Sequence, residues 1–137
     1  IQKSNIQISL DLQVNERQFV WESLFRQVIV NLLTNAIEAL DAISQMSKVI
    51  QIRSSIDQQG VYCLTITDNG PGINAQQNSK IFSLFVTSKS SGTGIGLWLS
   101  RYIVERHKGS LTYKNLHNAS GVSFMLTIPP GIKGSFR

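Results

Sequence analysis

Hydrophobic and polar residues alternate around Ile6, Ile8, Leu10 and Leu12, the period-two pattern of a half-buried strand. From about Phe19 to Met46 the period lengthens. Phe25, Val28, Ile29, Leu32, Leu33, Ala36, Ile37 and Leu40 recur at helical spacing, which predicts a long amphipathic helix. Two strands are then expected, Val49 to Ile56 and Val61 to Thr67, joined by the turn Asp57-Gln58-Gln59-Gly60. Asp68-Asn69-Gly70-Pro71-Gly72 breaks the pattern at the end of the second strand. Residues 74–93 are polar and rich in Gly and Ser, interrupted by Ile81, Phe82, Leu84, Phe85 and Val86. A loop of that length inside a compact domain is usually functional. Ile95, Trp98, Leu99, Tyr102 and Ile103 mark a second amphipathic helix, with Gly109 as its stop. Leu111 to Tyr113 and Val122 to Ile128 read as a final antiparallel pair, closed by Pro129-Pro130. The order strand, helix, two strands, long loop, helix, two strands implies an α+β fold. In it, a mixed sheet carries its helices on one face.

Composition changes this picture little. The 137 residues, 42% hydrophobic and 15% charged, suit one ordinary globular domain and not a disordered segment. The net charge of +5 raises the question of nucleic acid, but the basic residues are scattered and no run with interleaved aromatics occurs. The expectation is therefore no nucleic-acid binding, and a polyphosphate or an acidic partner fits the excess as well. Cys63, flanked by Tyr62 and Leu64, reads as a small buried hydrophobe in a reducing compartment. No apolar stretch approaches the roughly 20 residues of a membrane span. The chain opens on Ile1, so the expectation is an excised cytoplasmic fragment, any membrane anchor belonging to the missing part.

Three polar features go beyond what a core requires. On the long helix, at about 100° per residue, the apolar stripe centres near Phe25, Ile29 and Ala36, and Asn31, Asn35 and Glu38 form a row along its edge. Such amides either face solvent or meet phosphate, water or a metal, and an amide oxygen is a hard ligand suited to Mg2+. Thr67-Asp68-Asn69-Gly70-Pro71-Gly72-Ile73 follows a strand directly. It is either a surface turn or a site where two glycines allow close approach and a carboxylate accepts from an exocyclic amine. Gly92-Thr93-Gly94-Ile95-Gly96-Leu97 opens the second helix, where freed backbone N–H groups suit phosphate. It is not a Walker A loop, since Gly96 is followed by Leu97-Trp98, and it sits too late for a dinucleotide fingerprint.

In that order the three motifs resemble the ATPase superfamily of gyrase, the heat-shock chaperone, histidine kinases and MutL, over about residues 5–129. The histidine kinase branch is the most similar. The stretch from Gln27 to Leu40 matches its asparagine box almost residue for residue, and Ile81-Phe82-Ser83-Leu84-Phe85 with Thr87-Ser88-Lys89 resembles its phenylalanine box and the start of its ATP lid. The resemblance implies a two-layer α/β sandwich of the Bergerat type, with a mixed, mostly antiparallel sheet. It implies one ATP-binding catalytic domain over residues 1–137, with the phosphoacceptor and sensor parts outside it. ATP and Mg2+ are the implied ligands. Asp68 would bind the adenine amine, with Gly70, Gly72 and Ile73 around the base. Asn35 would hold Mg2+, and Asn31 would lie near the phosphates or the metal's water shell, beside Glu38. Gly92, Thr93, Gly94, Ile95, Gly96 and Leu97 would cradle the polyphosphate, and Phe85, Thr87, Ser88 and Lys89 belong to the lid. Asn31, Asn35 and Lys89 are the residues assigned to catalysis. Many histidine kinases carry a basic residue where this chain has Glu38, so either Lys89 takes that role or phosphate binding leans more on Mg2+.

Asn31 also separates the branches. The gyrase, chaperone and MutL branches resemble one another in a glutamate at this helix position that acts as general base on water, and an amide cannot take a proton at neutral pH. The implied reaction is transfer of the γ-phosphoryl group to a histidine on a separate acceptor and dimerisation domain, upstream of a response regulator. His107 and His117 do not resemble an acceptor context and read as structural. The fragment alone is expected to be monomeric. The alternatives are a non-catalytic nucleotide-sensing docking module and a gyrase-type hydrolase.

Overall fold

The computed structural model describes residues 6–13, 22–41, 43, 47–74, 80–83, 96–117 and 119–130. The elements run β1 (Ile6–Leu12), α1 (Glu22–Asp41), β2 (Lys48–Ile56), β3 (Tyr62–Asp68), α2 (Gly96–Arg106), β4 (Ser110–Asn115) and β5 (Val122–Ile128). This is the expected order; the ends of β2 and β3 shift by at most a residue, and β4 runs beyond the expected Leu111 to Tyr113 to reach Asn115. The sheet order is β1-β2-β3-β5-β4. β1 pairs with β2 in parallel and the other pairs are antiparallel. The fold is thus a two-layer α/β sandwich.

Register explains why one face is apolar. Ile52, Ile66, Phe124 and Tyr113 lie side by side across four strands, as do Leu64, Leu126 and Leu111 across three. With Ile50, Val122 and Ile128 they build a core against Val28, Leu32, Ala36 and Leu40 of α1 and Ile103 and Val104 of α2. The fully buried row on α1 is Val28-Leu32-Ala36-Leu40, with Phe25 and Ile29 only half-buried. The stripe is therefore rotated slightly from its expected centre, toward the asparagines. The opposite sheet face carries Arg53, Ser55, Thr65, Met125, Thr112 and Lys114, exposed or half-buried. The β2–β3 turn forms where expected. Asp57 Oδ1 accepts from the N–H groups of Gln59 and Val61, each at 2.9 Å, the local bonding that makes Asp a turn residue.

Two expectations need correction. β1 alternates as predicted but is not half-buried along its length, since Ile8, Leu10 and Leu12 are 53%, 61% and 57% exposed. It is an edge strand, and among the described residues the main sheet contacts of α1 fall on β2 and β3 and those of α2 on β4 and β5. The second concerns the end of α2. The left-handed residue there is Lys108, with φ 65°. The N–H of Gly109 reaches Val104 O at 3.0 Å and that of Lys108 reaches Glu105 O at 3.0 Å, a Schellman-type closure. Gly109 is needed for space instead, because a Cβ there would lie 1.9 Å from the Thr127 carbonyl oxygen of β5. His107 is fully buried, with Nδ1 2.9 Å from Ile103 O and its ring edge-on to Phe25 at 6.4 Å.

Candidate functional site

β3 ends on Asp68, which is 2% exposed and aligned between Ile50 of β2 and Val122 of β5. A carboxylate buried there requires donors, and Oδ1 accepts the Gly70 N–H at 2.9 Å. The next residue pins the loop to β2. Asn69 Oδ1 accepts from Val49 N–H at 2.8 Å and Nδ2 donates to Ser47 O at 2.9 Å. The loop then turns beneath the C-terminal part of α1, where a Cβ on Gly70 would stand 3.5 Å from Leu40 and 3.6 Å from the Ala39 carbonyl.

Gly72 has φ 83°, and a Cβ on it would come within 2.7 Å of Asn115 Oδ1. This crowding reflects a two-point clasp: Asn115 Oδ1 accepts from Ile73 N–H at 2.8 Å and its Nδ2 donates to Ile73 O at 2.8 Å. On the other flank, the Ser120 hydroxyl donates to the Gly70 carbonyl. Gly121, with φ 135°, leaves no room for a Cβ, which would lie 2.1 Å from the Asp68 carbonyl oxygen. Sequence reasoning placed Asp68, Gly70, Gly72 and Ile73 together, and they do form one loop. It missed the side chains that shape that loop. Asn69 was legible only as part of a turn, and Asn115, Ser120 and Gly121 are 42 or more residues from their partners.

The second cluster joins the two helices. Asn31, half-buried on α1, donates from Nδ2 to Gly96 O at 3.3 Å and to Ser100 Oγ at 3.2 Å. Its Oδ1 accepts from Gln27 Nε2 at 2.8 Å. The structure therefore brings Asn31 and Gly96, from two separate motifs, into contact. Asn35 and Glu38 continue the half-buried row on α1, and Leu97 packs half-buried against the core. Phe82 packs edge-on to Phe124 and tilted on Tyr113, each at 6.3 Å, with the Arg101 guanidinium 4.7 Å over its ring. Phe85, Thr87, Ser88, Lys89, Gly92, Thr93, Gly94 and Ile95 lie outside the described residues.

Among the described residues no group of three or more His, Cys, Asp or Glu could hold a metal. The donors on the α1 edge are amide oxygens and one carboxylate. That set fits Mg2+, which keeps waters and shares substrate phosphates instead of demanding an all-protein cage.

The comparisons with known proteins agree with this layout. Residues 22–132 match the family model described as histidine kinase-, DNA gyrase B- and HSP90-like ATPase. The signal transduction histidine-protein kinase AtoS of Escherichia coli (strain K12) is 38% identical over 82% of this chain and 18% of its own length. The C4-dicarboxylate transport sensor protein DctB of Rhizobium meliloti (strain 1021) is 35% identical over 88% of this chain and 19% of its own. The chain thus spans about a fifth of the length of the curated relatives it matches. A nucleotide-free catalytic domain of histidine kinase ThkA superposes with a TM-score of 0.78 at 32% identity, covering 92% of this chain and 80% of that one. The chain belongs to the histidine kinase-, DNA gyrase B- and HSP90-like ATPase family, and within it is the catalytic ATP-binding domain of a sensor histidine kinase.

Proposed function

We propose that the domain binds Mg2+-ATP and delivers the γ-phosphoryl group to a histidine on a separate acceptor domain of the same protein, from which a response regulator is charged. Asn31 carries this reading. An amide has no basicity at neutral pH and cannot draw a proton from water. Its nitrogen is already committed to α2 and its oxygen accepts from Gln27. Water beside the γ-phosphate therefore goes unactivated, and ATP is kept for an imidazole nitrogen of the acceptor. That nitrogen attacks the γ-phosphorus in line. The N–P bond forms as the bond from phosphorus to the β,γ-bridging oxygen breaks, and ADP leaves.

The domain's own contribution is positioning and charge neutralisation. Asp68 accepts from the adenine amine with its buried carboxylate, and Gly70, Gly72 and Ile73 shape the base pocket held by Asn69 and Asn115. Asn35 is the protein ligand for the metal, with Asn31 and Glu38 on the same edge. Mg2+, when bound, offsets the charge of the phosphates. Gly92, Thr93, Gly94, Ile95, Gly96 and Leu97 are assigned to the polyphosphate, and Phe85, Thr87, Ser88 and Lys89 to nucleotide binding beside it, on the sequence motifs alone. In this reading residues 1–137 form a single unit that needs the acceptor domain to complete the reaction. No helix among the described residues is long and apolar enough to cross a membrane; the proposed place of work is the cytoplasm.

Calorimetric titration with a non-hydrolysable ATP analogue tests this. The parent domain should bind saturably and more tightly with Mg2+, and Asp68→Asn should weaken binding by about 1.5–3 kcal/mol, the range for a hydrogen bond to a charged group. A folded parent that binds no nucleotide would overturn the reading. Steady phosphate release by the isolated domain, lost on Asn31→Ala, would move it to the hydrolase branch.

A further inference from the structure

We infer that Ser100 is a positioning residue for the metal side of the site: with the Gly96 carbonyl, it fixes which end of the Asn31 amide faces the ligand. The inference rests on the nucleotide-binding reading above. Ser100 is 0% exposed and stands one turn into α2. Its Oγ lies 3.2 Å from Asn31 Nδ2, and the Gly96 carbonyl lies 3.3 Å from the same nitrogen. A carbonyl oxygen only accepts. Turning the amide over would set Asn31 Oδ1 against Gly96 O, two acceptors with no proton between them. The nitrogen must therefore point to α2, and both of its protons are engaged there.

What remains for a ligand is Oδ1. An amide oxygen has two acceptor sites, and Gln27 Nε2 at 2.8 Å uses one. The other can accept from a water of a hydrated Mg2+, but it repels a phosphate oxygen. Asn31 thus serves the cation and its waters, not the phosphates; the Gly96 carbonyl sets that orientation, and the Ser100 hydroxyl anchors it with a second bond. Both bonds to α2 lie at the long end of the hydrogen-bond range, 3.3 Å to Gly96 and 3.2 Å to Ser100, so neither alone holds the amide plane firmly and the Ser100 hydroxyl is needed as the second hold. Gln27, on the exposed rim, bonds the amide from its other end.

The test is the ratio of affinities for a non-hydrolysable ATP analogue with Mg2+ and with chelator, by calorimetry on the parent, Ser100→Ala and Ser100→Thr. Loss of one neutral hydrogen bond at the metal side should lower that ratio about two- to tenfold in Ser100→Ala, and Ser100→Thr, which keeps the hydroxyl, should restore it. A ratio unchanged in Ser100→Ala, whether neither affinity moves or both fall alike, overturns the inference. A parent that binds no nucleotide at all overturns the reading beneath it. Should Ser100→Ala fail to fold, the parent decides the matter. Its Asn31 side-chain NH2 protons should exchange with solvent more slowly than those of an exposed asparagine by NMR, and fast exchange would refute the clasp.

Discussion

Asn115 does for the loop after β3 what a neighbouring strand would do, accepting from and donating to the same residue, Ile73, at 2.8 Å each way. Asn115→Ala removes both bonds. At about 0.5–1.5 kcal/mol for each net hydrogen bond, and with Asn115 itself exposed, a stability loss near 1 kcal/mol is expected. Faster amide exchange at Gly72 and Ile73 should accompany it. Asn115→Asp keeps the acceptor but turns a carboxylate oxygen toward the Ile73 carbonyl, so it should rescue nothing. Gly72→Ala should cost more than either, since it combines a φ of 83° with a Cβ 2.7 Å from Asn115 Oδ1. In the Gly72→Ala/Asn115→Ala double variant the collision is gone and only the backbone strain remains. The two effects should therefore fall short of adding. Urea unfolding of the parent, the two single alanine variants and the double variant reads this directly, and strict additivity would mean that the two residues do not share the strain.

At the scale of elements, what could be read from the chain was whatever local period controls. The spacing of apolar residues placed α1, α2, β2 and β3 because each buries a face along its own length. The break at Asp68-Asn69-Gly70-Pro71-Gly72 was legible because those residue types favour turns in any setting. Burial of β1 was not legible, since alternation shows that a strand has two faces but not whether a second layer is wide enough to cover one. The end of α2 was misread for a related reason: Gly109 looks like a helix stop, yet its lack of a side chain answers to the Thr127 carbonyl on a distant strand. Asn115, Ser120 and Gly121 act only through contacts that exist once the sheet is assembled. The cap makes its own prediction. Lys108 occupies the left-handed position at φ 65°, a conformation that costs an L-residue about 1 kcal/mol or more. Lys108→Gly should therefore stabilise the domain by about 0.5–1 kcal/mol, less whatever flexibility it adds to the unfolded chain. A fall in thermal midpoint would show that the lysine side chain holds the cap in a way the backbone does not reveal.

For the molecule as a whole, the described helices cover one sheet face, and this divides β3 by parity. Leu64, Ile66 and Asp68 are buried under the helices, whereas Cys63, Thr65 and Thr67 on the other face are half-buried. Tyr62, on the helix side, has its ring edge-on to Phe25 at 6.2 Å. Burial pushes the Tyr62 phenol up, helped by its neighbour Cys63. Burial, and then the Asp57 carboxylate, push the Cys63 thiol up. Both acids are thus harder to ionise in the folded protein than in the unfolded chain. Their contribution to stability is complete while both states keep them neutral, below roughly pH 8, and is lost as the pH rises through the range of about 8.5–10 and beyond where thiols and phenols ionise. The thermal midpoint should accordingly hold near neutrality and decline on the alkaline side, and Cys63→Ser should remove the earlier part of the decline while leaving the later, phenolic part. Cys63 is also predicted to react slowly with iodoacetamide at pH 7, since a raised thiol holds little thiolate there. A Cys63 alkylated as fast as a free thiol would mean that the sheet face away from the helices is open enough for water to solvate the thiolate, and a midpoint that stays flat to pH 10.5 would mean that the helical layer does not shield Tyr62 either.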